Sequence, residues 1–233
     1  MSSKLERKRA AAAAALERIP QGCRLGLGCG STVNEFIRLL GEKVRGGFSV
    51  RSIAACTQSE SVAREAGVSL ESSEDLFPLD MVVDGADEID ASMRLIKGGG
   101  GALLHEKVLA GSTREFIVIA EGEKLVGQLG KFPLPVEVAP FGFAGTLERI
   151  RKEAADVGCA GDITLRRNGN GEVFVSDGGH WIYDCAFGKI PDPESLAVRL
   201  DGIAGVMGHG LFLGMADVVL LGDEGGVKIL GSG

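Results

Sequence analysis

The stretch CRLGLGCGSTVNEFIRLLGEKV, residues 23–44, decides the fold. It reads as a short apolar strand over 24–27, a turn with glycines at 26, 28 and 30, and a helix with Phe36, Ile37, Leu40 and Val44 at helical spacing. Strand, glycine turn and amphipathic helix make the first half of a parallel strand–helix–strand unit. The alternation continues: VRSIAAC (50–56) reads as a strand, SESVAREAG (59–67) as a helix, DMVVDGADEID (80–90) as a buried strand ending in an acidic turn, and REFIVIAEGEK (114–124) as a further strand. Over roughly the first 120 residues this predicts an α/β, Rossmann-like, doubly wound parallel sheet.

The pattern then changes. KFPLPVEVAPFG (131–142) holds three of the seven prolines and is expected to be a domain boundary. Beyond it come a helix from Thr146 to Ala155, the short strands DITLRR, EVFVSD and HWIYDCAF, and a helix from Pro193 to Leu200. The first two strands are split by the turn NGNG. The tail ADVVLLGDEGGVKIL (216–230) returns to the parallel sheet. The expected organisation is a discontinuous Rossmann-like domain over 1–131 plus 207–233, with a smaller α+β domain over 132–206.

Composition narrows the function. Apolar residues at 45% and charged residues at 24% of 233 residues describe an ordinary globular protein. A net charge of -7 argues against nucleic acid and membrane surfaces as partners, though a small anion needs only a local basic cluster. Five cysteines, an odd number without CxxC spacing, suggest neither a disulfide framework nor a zinc knuckle, and this is cytoplasmic usage. No run reaches about 18 apolar residues, and residues 1–19 read as an alanine-rich helix rather than a signal peptide.

GLGCGST (26–32) fails as a dinucleotide fingerprint, because the third glycine of GxGxxG falls at Ser31 and no acid ends the next strand. What remains is a helix start near Ser31 and Thr32 whose amides and hydroxyls suit a phosphate, or else a tight turn capped by Ser31. Asp84 and Asp87, at the end of an apolar run, belong just past the carboxyl end of a parallel strand, where open α/β sheets bind ligands; a solvated acidic cap is the other reading.

LIKGGGGALLHEKVL (95–109) sets four consecutive glycines before a helix. Ordering so flexible a segment is costly, so something is expected to approach that backbone closely. HEKVL is not a zinc helix, since Leu109 stands where HExxH needs a second histidine. His105, His180 and His209 are too scattered for a metal site or a catalytic triad and are expected to be structural or surface residues. Glu106 has apolar neighbours one turn away on both sides, Ala102, Leu103, Leu109 and Ala110. That predicts a partly desolvated carboxylate with a raised pKa, suited to act as a base; the plainer reading has it facing water between His105 and Lys107. Lys97 likewise reads either as a charge beside a reacting carbon or as a solvated lysine.

GLGCGST, VDGADEID, IKGGGGALLHEK and GKFPLPVEVAPF, in this order and at these separations, resemble the type A ribose-5-phosphate isomerase family, as does the tail GLFLGMADVVLLGDEGGVKIL. The resemblance implies interconversion of ribose 5-phosphate and ribulose 5-phosphate without metal or organic cofactor. It implies Glu106 as the base, with Asp84, Asp87 and Lys97 assisting. It also implies a substrate lined by Cys29, Gly30, Ser31 and Thr32, by Asp84, Gly85, Ala86 and Asp87, by Lys97, Gly98, Gly99 and Gly100, and by Lys124, with Lys8 at the phosphate. A ferredoxin-like small domain and a homodimer or homotetramer follow from it too. Three departures stand out: Cys29 where a threonine is usual, IAEGEKLV where a D-x-S-K pattern is usual, and CTQSES in place of a serine-rich stretch. A sugar-phosphate-sensing regulator would need a helix-turn-helix, for which the roughly 20 residues before the first strand are too few. A CoA transferase of related fold would use a glutamate as nucleophile.

Overall fold

The computed structural model describes residues 2–231. Along the chain lie α1 (Lys4–Leu16), β1 (Arg24–Leu27), α2 (Ser31–Arg45), β2 (Arg51–Ala54), α3 (Thr57–Ala66), α4 (Ser73–Leu76) and β3 (Leu79–Asp84). The short strands β4 (Glu88–Ile89) and β5 (Leu95–Ile96) precede α5 (Leu103–Gly111), β6 (Thr113–Glu121) and a 3-10 turn, Gly122–Lys124. Then come β7 (Leu134–Val138), α6 (Phe143–Asp156), β8 (Asp162–Leu165), β9 (Trp181–Ala186), α7 (Pro193–Asp201), β10 (Val206–His209), β11 (Leu211–Phe212), β12 (Val218–Asp223) and β13 (Gly226–Gly231).

Two compact units divide these elements. One runs to Ala86, resumes over His105–Leu125 and again from Met215; the other is Asp87–Leu104 with Val126–Gly214. Compared with the division expected from sequence, 87–104, 126–131 and 207–214 change sides. The reason is a small sheet: β4 pairs with β5, and β5 with β11, which gathers 87–104 and 207–214 around one antiparallel ladder, while 126–131 follows through the Val126 N–H donating to Ile89 O and the Gly130 N–H to Glu88.

In the first unit the sheet order is β13-β12-β6-β3-β1-β2, with β2, β1, β3, β6 and β12 parallel and β13 antiparallel at the edge. The chain order reverses between β1 and β3, and the crevice beyond that switch point is where such sheets hold ligands. One sheet face presents Leu25, Leu27, Val83, Ile117, Ile119, Val218 and Leu220 to Ala11, Ala12 and Ala15 of α1 and to Val33, Phe36, Ile37 and Leu40 of α2. The alanine run has a steric cause. A side chain at Gly222 in β12 would lie 1.9 Å from the Arg7 carbonyl, so α1 crosses the sheet nearly backbone to backbone. Ser3 caps α1, accepting from the Glu6 N–H at 3.2 Å while the Glu6 carboxylate accepts from the Ser3 N–H.

The second unit carries a sheet ordered β10-β7-β9-β8, antiparallel throughout, with α6 between β7 and β8 and α7 between β9 and β10. That is a ferredoxin-like β-α-β-β-α-β arrangement. Its core includes Val136, Val138, Ile150, Tyr183, Cys185, Leu196 and Leu200.

Two sequence expectations fail here. The proline-rich segment 131–142 is no boundary, for it contains β7, an interior strand. Pro135 is tolerated because it lies one residue beyond the last β10 pair, Val136 with His209, and its carbonyl still accepts from Gly210. EVFVSD is not a strand, since only an isolated bridge joins Val173 to Arg167. The segment has other work, Phe174 packing over Gly101 and the Ser176 hydroxyl donating to the buried Glu137 carboxylate at 2.6 Å.

The register of β1 on β3 is locked electrostatically. Arg24 grips Asp80 with two guanidinium bonds, at 3.0 and 2.7 Å, and its backbone N–H at 3.1 Å. The guanidinium first, then the N–H, hold the Asp80 carboxyl down at about 2, below its ordinary 3.8. A folded-state pKa below the unfolded one stabilises the fold above about pH 4 and loses that contribution as pH falls through about 2. Asp80→Asn is therefore expected to cost about 1 kcal/mol at pH 7, allowing for solvent screening. In urea unfolding the deficit should shrink from pH 4 toward pH 2, and a constant deficit would contradict the lock.

Candidate active site

The turn after β1 is built around one carboxylate. Asp84, at the end of β3 and fully buried, accepts from the Cys29 N–H at 3.0 Å and the Gly85 N–H at 2.7 Å. This crosses the switch point and explains Gly28, where a side chain would sit 1.9 Å from the Asp84 carboxyl carbon. The turn is further held by Gly28 N–H donating to Val83 O at 2.9 Å and by the Ser59 hydroxyl donating to Gly28 O at 2.6 Å. Asp84 is thus no solvated cap.

Gly30, at φ 118°, is the N-cap of α2 and provides no side-chain cap, so the Ser31-capped turn is not what forms. Instead the Ser31 hydroxyl accepts from Lys8 Nζ at 2.7 Å, and Lys8 Nζ also stands 3.6 Å from Glu121 Oε1. Thr32 donates to Glu121 Oε2 at 3.3 Å, and Lys4 lies 3.6 Å from the same carboxylate. Helix amides, two hydroxyls and an ammonium held by a buried carboxylate make a seat for a small dianion. Lys124 ends the 3-10 turn that begins after Glu121 and is half-buried.

Glu106 occupies the first turn of α5 and is 4% exposed, whereas His105 and Val108 are exposed. The helix turns that residue inward, so the water-facing reading fails. A carboxylate buried in a helix of apolar neighbours is costly unless it is paired or hydrogen-bonded.

In the second unit Lys97 is 2% exposed, its N–H donating to Gly210 O at 2.9 Å and its ammonium 5.3 Å from the Phe212 ring centre. It is not a solvated lysine. The glycines that follow answer to the protein itself: Gly98 has φ 102° and a side chain there would be 2.8 Å from Leu103, while one at Gly99 would be 2.8 Å from Asp87 and one at Gly101 2.4 Å from Phe174. Packing thus accounts for three of the four glycines, and what approaches their backbone closely is the protein's own side chains. Asp87 is half-buried and accepts from the Gly99 N–H at 2.8 Å. Gly99 and Gly100 are exposed, and Ala86 in the first unit is half-buried.

Three features escaped the sequence reading. Arg166 donates to the carbonyls of Gly98 at 3.0 Å and Gly99 at 3.3 Å while paired with Asp184, clamping the glycine loop from a strand end. Glu121, within the IAEGEKLV departure, has no role of its own in the sequence reading, and its position at the end of β6 is the available signal. The cysteine reading is also corrected: Cys29 and Cys56 form a disulfide with Cα atoms 6.1 Å apart. A pairing across 27 residues leaves no local spacing to read; it arises because β1 and β2 are neighbours and their following turns meet. Closing that loop contributes roughly 3–4 kcal/mol in the chain-entropy picture.

His105 Nδ1 lies 3.1 Å from Ala55 O and His180 Nδ1 3.0 Å from Glu137 Oε1, while His209 is buried. Among the described residues no three His, Cys, Asp or Glu side chains are grouped to hold a metal.

Because the turn depends on one fit, Gly28→Ala is expected to destabilise the protein by about 2–3 kcal/mol. The double variant Gly28→Ala with Asp84→Ala should lose less than the sum of the single losses in urea unfolding, whereas additivity would contradict the fit.

Against known proteins, residues 51–226 match the family model of ribose 5-phosphate isomerase A (phosphoriboisomerase A). The chain is 48% identical to ribose-5-phosphate isomerase A of Rhodopseudomonas palustris over 225 residues, 97% of both chains, and 48% identical to that of Nitrobacter hamburgensis over 96% of both. Among solved structures, a D-ribose-5-phosphate isomerase in complex with phospho-erythronic acid superposes with a TM-score of 0.92 at 36% identity, covering 99% of this chain and 100% of that one. Ribose 5-phosphate isomerase from Plasmodium falciparum superposes with a TM-score of 0.91 at 32% identity, covering 97% and 98%. With this agreement in sequence and fold along nearly its whole length, the chain belongs to the ribose 5-phosphate isomerase A family.

Proposed function

We infer that this chain interconverts D-ribose 5-phosphate and D-ribulose 5-phosphate, in the non-oxidative branch of the pentose phosphate pathway, with Glu106 moving a proton between C2 and C1 through an enediolate. The isomerase activity follows from the family; the residue roles are our own reading. The observation that carries them is the burial of Glu106 in the first turn of α5. A carboxylate withdrawn from water is a stronger base toward a carbon acid than a hydrated one.

Removing the C2 proton places negative charge on the oxygens of C1 and C2. Lys97, buried beside the glycine loop, supplies the compensating positive charge, and the loop amides add donors. The relative with phospho-erythronic acid holds a four-carbon phosphorylated acid with a planar anionic end, as an enediolate has. Seating the phosphate falls to Cys29, Gly30, Ser31, Thr32, Lys8 and Lys124. The two aspartates part company in this reading. Asp84 is committed to the Cys29 and Gly85 amides and shapes the turn, together with Gly85 and Ala86. Asp87, half-buried, is better placed to exchange protons with a sugar hydroxyl during ring opening. Gly98, Gly99 and Gly100 bring backbone to the sugar.

Cys29 in place of a threonine removes one hydroxyl donor and keeps the amides. Free, buried Cys23, Cys159 and Cys185 support a cytoplasmic setting, and no helix among the described residues is long and apolar enough to cross a membrane. A homodimer or homotetramer is carried by the family resemblance.

Glu106→Gln is expected to lower kcat by roughly 100- to 10,000-fold with KM little changed. Lys8→Ala should raise KM several-fold and spare kcat. Steady-state assay with ribose 5-phosphate, without added metal, checks both, and wild-type turnover by Glu106→Gln would remove the base assignment.

A further inference from the structure

The disulfide between Cys29 and Cys56 is not used by the proton transfer proposed above. It ties two successive strand-to-helix turns, those after the neighbouring parallel strands β1 and β2. Both sulfurs stand at helix starts. Cys29 precedes the N-cap of α2, and Cys56 is itself the N-cap of α3, its Sγ accepting from the Ser59 N–H at 3.4 Å. The positive end of a helix stabilises a thiolate, which favours the dithiol form and makes Cys56 a good leaving group in exchange. Cys29 is half-buried and Cys56 is 7% exposed, so an incoming thiolate meets the Cys29 sulfur first.

The remaining cysteines do not compete. Cys23, Cys159 and Cys185 are free and buried, and burial pushes their thiols up, that of Cys23 to about 11. Nor does the turn need the cross-link to exist, because Val83 O, the Ser59 hydroxyl and the Asp84 carboxylate hold Gly28 and Cys29 independently. Opening the bond therefore loosens the turn without unfolding it. In a cytoplasmic setting, disulfides are mostly transient or redox-sensing rather than structural.

We propose that Cys29 and Cys56 are a reversible thiol–disulfide pair, closed by a peroxide and opened by a dithiol, that tunes the grip of the β1–α2 turn on the substrate's phosphate. The second half rests on the reading of that turn as the phosphate seat. In closing, the Cys29 thiolate attacks the O–O bond to give a sulfenic acid and release hydroxide. Cys56 thiolate then forms the S–S bond and expels the second hydroxide, so the two sulfurs lose two electrons and one peroxide becomes two waters. In opening, a dithiol's thiolate attacks Cys29 Sγ, Cys56 leaves as thiolate, and the reagent's second thiol resolves the mixed disulfide, leaving two protein thiols and the oxidised reagent. The closed pair gives the turn less freedom to lose on binding, so its KM is the lower of the two. Glu106 lies on another element, so kcat stays.

The test uses the purified enzyme treated with hydrogen peroxide or dithiothreitol, with excess reagent removed. Alkylation and mass spectrometry count the thiols, and steady-state assay yields KM and kcat for ribose 5-phosphate. After peroxide, Cys29 and Cys56 should escape alkylation, and dithiothreitol should restore both. KM should be roughly 3- to 10-fold higher in the reduced enzyme with kcat within about twofold. Cys56→Ser, which keeps a good N-cap, should never reach the lower KM under either treatment. Alkylation of both cysteines after peroxide would overturn the pair. Equal KM in the two states, with Lys8→Ala still raising it, would overturn the tuning and leave the phosphate seat standing.

Discussion

One carboxylate organises the carboxyl end of the parallel sheet. Asp84 leaves β3, crosses to β1 at the point where strand order reverses, and takes the amides of Cys29 and Gly85. The space it fills is the one a side chain at Gly28 would need. From that fit follow the bend of the turn, the direction in which α2 starts, and the exposure of helix amides beside Ser31 and Thr32. Two glycines and one aspartate therefore do together what a residue-by-residue propensity cannot express.

Both units of this protein bury charge, and that is expensive. Asp84, Glu106 and Lys97 are all nearly inaccessible, as is Glu121. Such ions persist where partners compensate them, as the Cys29 and Gly85 amides do for Asp84 and the Lys4 and Lys8 ammonium groups for Glu121. Glu121 illustrates the pairing: buried at the end of β6, it holds the Thr32 hydroxyl and the Lys8 ammonium in place.

The parallel sheet was legible because β1, β2, β3 and β6 are apolar runs separated by helices of clear period, and Gly26 to Thr32 sat where a ligand turn belongs. The ferredoxin-like unit was less so. Pro133, Pro135 and Pro140 signalled a break, while the alternation of Leu134, Val136 and Val138 that builds β7 was hidden among them. EVFVSD has strand residues but no ladder partner along its length, because Phe174 and Ser176 answer to Gly101 and Glu137 instead. Among the candidate residues, Glu106, Asp84 and Lys97 could be singled out from neighbours and position. The Arg166 clamp depends on a contact across 68 residues that only the folded chain makes, whereas the places of Cys29 and Cys56 after the first two strands were legible and the bond between them was not.

In the proposed isomerisation a proton passes through the Glu106 carboxylate. Running the isomerisation in heavy water and following ribulose 5-phosphate by NMR reads this directly, since a base that exchanges with solvent delivers deuterium to C1. Wild-type enzyme is expected to label C1 during turnover, and the Glu106→Gln protein to leave it unlabelled on the same timescale. Deuterium entering at the wild-type rate with that variant would contradict the account.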